Sequence, residues 1–256
     1  MGVDNASGLD KTVVVKPKNR ASAGSKQSGK LAHYQAAMSA DLAKLSTLDD
    51  IDAKASAKRQ MLDTYWSFVN DYVDSCAKYA NDIAVRVCIW LFDMKDIERA
   101  LDLAFYLIAQ GCQVMPPKFD RDLPTFVCDA VYDWANELLK NDPPESASPY
   151  LDTLVAHIDN DHWSLSPPVQ SKMYTILAKH KNREGDFLNC VALCEKAEAV
   201  NPVGAGVKTL KTQAQAKIKL APEQPEQPEQ SEQSDQSEQP EQPEQTEQTE
   251  QTDKTE

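Results

Sequence analysis

Residues 81–131 read NDIAVRVCIWLFDMKDIERALDLAFYLIAQGCQVMPPKFDRDLPTFVCDAV, and this stretch decides the fold class. Its first apolar run, residues 83–92, is hydrophobic almost all round, which at this length fits either a buried helix or a buried strand. The polar turn Asp93-Met94-Lys95-Asp96 ends it. In the next run Ile97, Leu101, Ala104, Leu107 and Ile108 recur at helical spacing. Small Ala100 and Ala104 mark the side where another helix can come close. Gly111 is placed to stop that helix.

The same periodicity continues on both sides. It predicts a short helix over 31–45 and a longer one over 50–78, the latter with Tyr65, Trp66, Phe68, Val69, Tyr72 and Val73 on one aromatic-rich face. Further helices are expected over 124–140, 148–160, 167–181, 186–200 and 203–220, with Pro143-Pro144 and Pro167-Pro168 as punctuation between them. No convincing series of alternating strands appears, so the class is all-α. An internal echo refines this. Asp96-Ile97 followed by Ala100 and Ala104 corresponds to Asp186-Phe187 followed by Cys190 and Cys194. The second copy, opened by Gly185-Asp186 and closed by EKAEAVNP, resembles a tetratricopeptide helix pair. A compact stack of helical hairpins is expected, not a regular solenoid.

The AVRVCIWLFDMKDIERALDLAFYLIAQG run, with the MPPKF and RDLPTF loop after it, resembles the small terminase subunit of cohesive-end myophages, the gpM type. The resemblance extends more weakly over residues 57–220 and fails in both tails. It implies a role in viral genome packaging in the host bacterial cytoplasm. The partners it implies are double-stranded phage DNA, a large ATPase subunit and further copies of the same chain. It also carries the family's endonuclease label, with Mg²⁺ as the cofactor that reading would need; otherwise no cofactor is expected.

Charge divides the chain into three parts: 1–30, 31–220 and 221–256. The last 36 residues hold twelve acids against Lys254, net −11, with Glu or Asp at every third position from Glu223 to Glu256. Low hydrophobicity and like-charge repulsion predict an extended, disordered tail. Residues 1–30 are net +4 and read as a basic arm, in which Lys16, Lys18, Arg20, Lys26 and Lys30 can neutralise phosphates without a fixed fold. Sequence-specific recognition would need a folded reader, for which the first two helices are the candidates. The aromatic face of the second helix, Tyr65, Trp66, Phe68, Val69 and Tyr72, is the expected oligomer interface.

Chemistry is sparse. No stretch is long enough for a membrane span, and the N-terminus lacks the apolar core of a signal peptide. The six cysteines, mostly within apolar helical patterns, are expected to be reduced and buried. Cys190 and Cys194 share a helix face, but His157 and His180 stand at no metal-ligand spacing from them, and core packing is the plainer reading. For Asp159, Asp161 and His162 the plainer reading is a solvated turn. Asp120 and Asp122 are the candidate catalytic carboxylates of the endonuclease reading, although a two-metal nuclease needs convergence that two loop acids do not establish. The GxxxxGK[ST] spacing is absent, so the ATPase is expected to be another chain.

Overall fold

The computed structural model describes residues 21–160 and 163–220, with side chains from residue 29 onward. The described residues form nine helices and no strand: α1 (Ala21–Ser46), α2 (Ile51–Asp74), α3 (Asp82–Asp93), α4 (Ile97–Gln110), α5 (Leu123–Leu138), α6 (Tyr150–Asn160), α7 (Pro167–Glu184), α8 (Phe187–Val200) and α9 (Lys208–Leu220). The all-α expectation holds. No described helix is long and apolar enough to cross a membrane.

Local signals place most boundaries. Asp50 caps α2 by accepting the Ala53 N–H at 2.7 Å, and Asn81 caps α3 by accepting that of Ala84 at 3.1 Å. Gly111 closes α4 and Gly185 closes α7, each in the left-handed conformation that a side chain resists. The run left open between helix and strand is helix α3. It is buried on nearly every side because α1, α2 and α4 all pack against it. Ala100 and Ala104 are fully buried where α4 meets α3, as their size suggested.

Two boundaries differ most from the sequence expectation. Helix α1 begins at Ala21, ten residues early, so Lys26 and Lys30 stand on a helix and not in an extended arm. Gly and Ser in this stretch argue against helix at about 1 kcal/mol per glycine. Contacts with α2 favour it: Lys30 pairs with Asp71 at 2.6 Å and lies over the Phe68 ring. At the other end α9 starts at Lys208, after a turn in which Asn201 Oδ1 accepts the Gly204 N–H and Gly206 takes a positive φ.

The helices pack in chain order: α2, α3 and α4 against one another under α1, then α5 and α6 beside α4, then α7, α8 and α9. Tyr65, Phe68, Val69 and Tyr72 of α2 are buried within this chain, which corrects their assignment to an oligomer interface. Tyr34 of α1 stacks on Phe68 at 4.4 Å, and Trp90 of α3 meets Tyr65 edge to face at 5.7 Å. The face had to be covered, and the chain's own α1 and α3 cover it. Trp66 alone of the five is part-exposed, with the Arg99 guanidinium 5.0 Å from its ring. The polar atoms of the face are satisfied as well. Tyr65 donates to Asp41 at 2.7 Å, and Tyr72 donates to the Tyr79 carbonyl at 2.7 Å while accepting from Gln113 at 2.9 Å.

Candidate functional site

The RDLPTF segment turns the chain from the loop after α4 into α5. Asp122 sits at the N-cap with extended backbone and accepts the Thr125 N–H at 2.9 Å, while Pro124 occupies the first turn, where its missing N–H does no harm. Between this loop, the end of α3 and the outward face of α5 lies a cleft of about 430 Å³. Its floor is aromatic: Phe126 meets Phe92 at 5.8 Å and Phe119 at 5.5 Å, both edge to face.

Ion pairs that cross between elements form the rim. Lys58 of α2 bonds Asp93, Lys95 bonds Glu137 of α5 at 2.6 Å, and Asp129 of α5 receives both Arg121 and, at 3.1 Å, Lys172 of α7. Lys172 also lies 3.9 Å from the Tyr132 ring centroid. Most acids around the cleft are therefore neutralised by a cation of another segment. Asp133 and Lys118 line the cleft, are exposed, and make no ion pair among the described residues. Sequence reading did not find these pairs, because most of their partners are more than thirty residues apart.

The two predicted carboxylates have different partners. The Asp122 carboxylate is engaged in capping α5, whereas Asp120 is 92% exposed and lies 3.6 Å from Arg121. Among the described residues no three His, Cys, Asp or Glu side chains are grouped so that they could hold a metal ion. Asp159 accepts from the Tyr174 hydroxyl and pairs with Lys196 at 2.7 Å; Asp161 and His162 lie outside the described residues.

Cys190 and Cys194 are fully buried, and burial pushes the Cys194 thiol up to about 12. His157 stacks on Phe105, and His180 is buried between the Ala147 N–H and the Ala135 carbonyl. His157 thus rests against an aromatic ring, and His180 is held by backbone groups. Of the six cysteines, Cys76 and Cys112 are exposed, against the expectation of burial, while the other four are buried; all six are free thiols.

Of the basic arm, Lys16, Lys18 and Arg20 lie outside the described residues, and Lys26 is placed only as part of the α1 backbone. Lys30 is the arm residue whose contacts are seen, and it is engaged with Asp71.

The stretch that builds the α3–α4 hairpin, the loop and α5 is also the stretch that known proteins share. Residues 35–165, just over half of the chain, match the family model of the phage small terminase subunit. The chain belongs to the phage small terminase subunit family. It is 34% identical over 126 residues to the "Probable terminase, endonuclease subunit" of Haemophilus phage HP1 (strain HP1c1), a match covering 49% of this chain and 43% of that protein. It is also 25% identical over 186 residues to the "Terminase, endonuclease subunit" of Escherichia phage P2, covering 73% of each. The match thus spans less than half the length of the HP1 protein. No solved structure matches. In terms of this small terminase subunit, the family-model match runs from within α1 to just past α6 and contains the cleft except for Lys172, whereas the 186-residue match to the P2 protein extends beyond it.

Proposed function

We propose that this chain is the non-ATPase subunit of a phage DNA-packaging terminase. It binds double-stranded phage DNA, assembles with copies of itself, and presents the DNA to the large ATPase subunit for cutting and packaging in the host bacterial cytoplasm. The family match over residues 35–165 carries this reading. The sequence adds support: no glycine loop of the phosphate-cradling kind is present, which fits a division of labour with a separate ATPase. The basic residues Lys16, Lys18, Arg20 and Lys26 supply sequence-blind phosphate contact, which weakens as salt rises.

Both relatives are named endonuclease subunits, which favours a second reading, in which this chain itself cleaves DNA with Mg²⁺. Among the described residues no group of three metal-ligating side chains supports that reading.

One set of measurements on the full chain tests both. Electrophoretic shift of a duplex carrying the phage DNA end, co-purification with the large subunit, and nuclease assays with Mg²⁺ or Mn²⁺ are run in parallel. A shift and a stable complex without cleavage are expected. Cleavage by the purified chain alone would establish the second reading. Neither a shift nor cleavage would overturn both.

A further inference from the structure

Charge in the helical body is partitioned in a way that the whole-chain total hides. Residues 31–166 carry eleven basic against twenty-two acidic side chains, net −11, whereas residues 167–220 carry nine against four, net +5. Helix α9, KTLKTQAQAKIKL, has four lysines and no acid. The basic part is thus the α7–α9 module, beyond the stretch matched by the family.

Several of these cations are used internally. Lys172 pairs with Asp129, Lys181 with Asp152 and Glu184, Lys196 with Asp159, and Lys211 with Glu195 and Glu198. Lys179, Arg183 and Lys217 are exposed and have no acidic partner among the described residues. On α7, Lys179, Asn182 and Arg183 stand at i, i+3 and i+4 and so share one face. Lys217 of α9 joins them: its ammonium donates to Asn182 Oδ1 at 3.3 Å and lies 4.7 Å from the Phe187 ring centroid. Three cations from two helices therefore meet at one end of the module. The nearby acids are occupied, Glu184 by Ser146 and Lys181, and Asp186 by the Asn189 backbone and side chain.

We infer that Lys179, Arg183 and Lys217 form a phosphate-contact surface for double-stranded DNA, a placement that rests on the DNA-binding reading above. Exposed cations spread along a helix face suit a polyanion that several charges track together, not a small anion held in a pocket. The net −11 of residues 31–166 repels DNA from that part of the body.

The test uses the full chain, with DNA affinity read by fluorescence anisotropy on a duplex of about 30 base pairs, between about 50 and 200 mM salt. The triple variant K179Q/R183Q/K217Q is compared with a charge-matched control, K54Q/K78Q/K140Q, and circular dichroism checks that both fold. The expected result is at least a tenfold loss of affinity at low salt for the first triple, roughly as the loss of several phosphate contacts gives, and a salt slope shallower by about 2.7. Each single substitution should remove about 0.9 of that slope, and the control should leave it unchanged.

Equal effects in both triples, or none, would overturn the placement while DNA binding stands. If the first triple binds DNA like wild type but no longer responds to deletion of residues 221–256, the face belongs to the acidic tail and the placement is likewise overturned. Absence of DNA binding by wild type would sink the underlying reading as well.

Discussion

Asp96 and Asp186 occupy equivalent places in two copies of one turn. Each is the N-cap of the second helix of a hairpin, with φ −85°, ψ 71° at Asp96 and φ −83°, ψ 73° at Asp186. Each follows a left-handed residue, Lys95 at φ 61° and Gly185 at φ 85°. Each donates its backbone N–H five residues back, to Leu91 at 3.0 Å and to Lys181 at 2.9 Å. The side chains differ: Asp96 bonds Arg99, whereas Asp186 accepts the Asn189 N–H. The echo between the two sequences is therefore a repeated backbone device for reversing a helix.

The left-handed residue should govern the stability of each turn. A Cβ at Gly185 would meet nothing within 4 Å, so Gly185→Ala should cost about 1 kcal/mol from backbone strain alone. Lys95→Gly should be more stable than Lys95→Ala by about the same amount, since both lose the exposed pair with Glu137 and only glycine relieves the strain. Urea midpoints check this; equal stability of the two Lys95 variants would refute it.

His180 should make the fold acid-sensitive. Burial holds its pKa below the ordinary 6.5, outweighing the Ala135 hydrogen bond and the pull of Glu184 and Asp152; Arg183 adds to the lowering. The unfolded chain therefore takes up the proton first. This contribution to stability is full above pH 6.5 and is lost as pH falls through the unfolded value toward the lower folded one, at up to about 1.4 kcal/mol per pH unit. Stability measured at pH 7.5 and 5.5 should drop more for wild type than for His180→Gln. Identical drops would remove His180 as the cause.

Tyr65 should behave as a core residue. Truncation to Ala should cost about 3–5 kcal/mol, as large aromatics do. Tyr65→Phe should cost roughly 1–2 kcal/mol through the lost hydrogen bond to Asp41. Burial opposes the charge on Asp41, but the bonds from Tyr65 and Lys44 prevail and hold its pKa below the ordinary carboxylate value. Melting temperature and light-scattering mass are read together. A folded Tyr65→Ala variant of unchanged stability but smaller mass would return this residue to an interface.

Asp122 should act as a helix cap. Replacement by Ala should destabilise by about 1 kcal/mol and replacement by Asn by a few tenths, because Asn caps equally well. Any Mg²⁺-dependent cleavage carried by the chain should survive Asp122→Asn. Loss of cleavage with stability intact would make this carboxylate catalytic after all.

Thiol reactivity should follow burial. Alkylation of the native protein, followed by intact mass, should modify Cys76 and Cys112 quickly and spare the other four. Burial raises the Cys88 thiol and, with weaker help from neighbouring Asp129, pushes Cys128 up to about 12. Six rapid modifications in folded protein would contradict the packing.

The sequence by itself determined the helical class and most helix ends, because both arise from interactions within about one helical turn. Gly111 ends α4 as its residue type favours, and Asn81 and Asp186 cap the helices that follow them. The echo of Asp96 in Asp186 was visible for the same reason. What covers each apolar face, and which charge meets which, was decided by the tertiary structure. The aromatic stripe of α2 reads identically whether a second copy or α1 and α3 cover it, and packing across tens of residues chose the latter. Asp122 reads alike as cap or catalyst until the Thr125 N–H is seen to occupy it. The cations Lys179, Arg183 and Lys217 become one surface only when α9 packs on α8 and brings Lys217 to Asn182 of α7, since 38 residues of chain separate the first from the last.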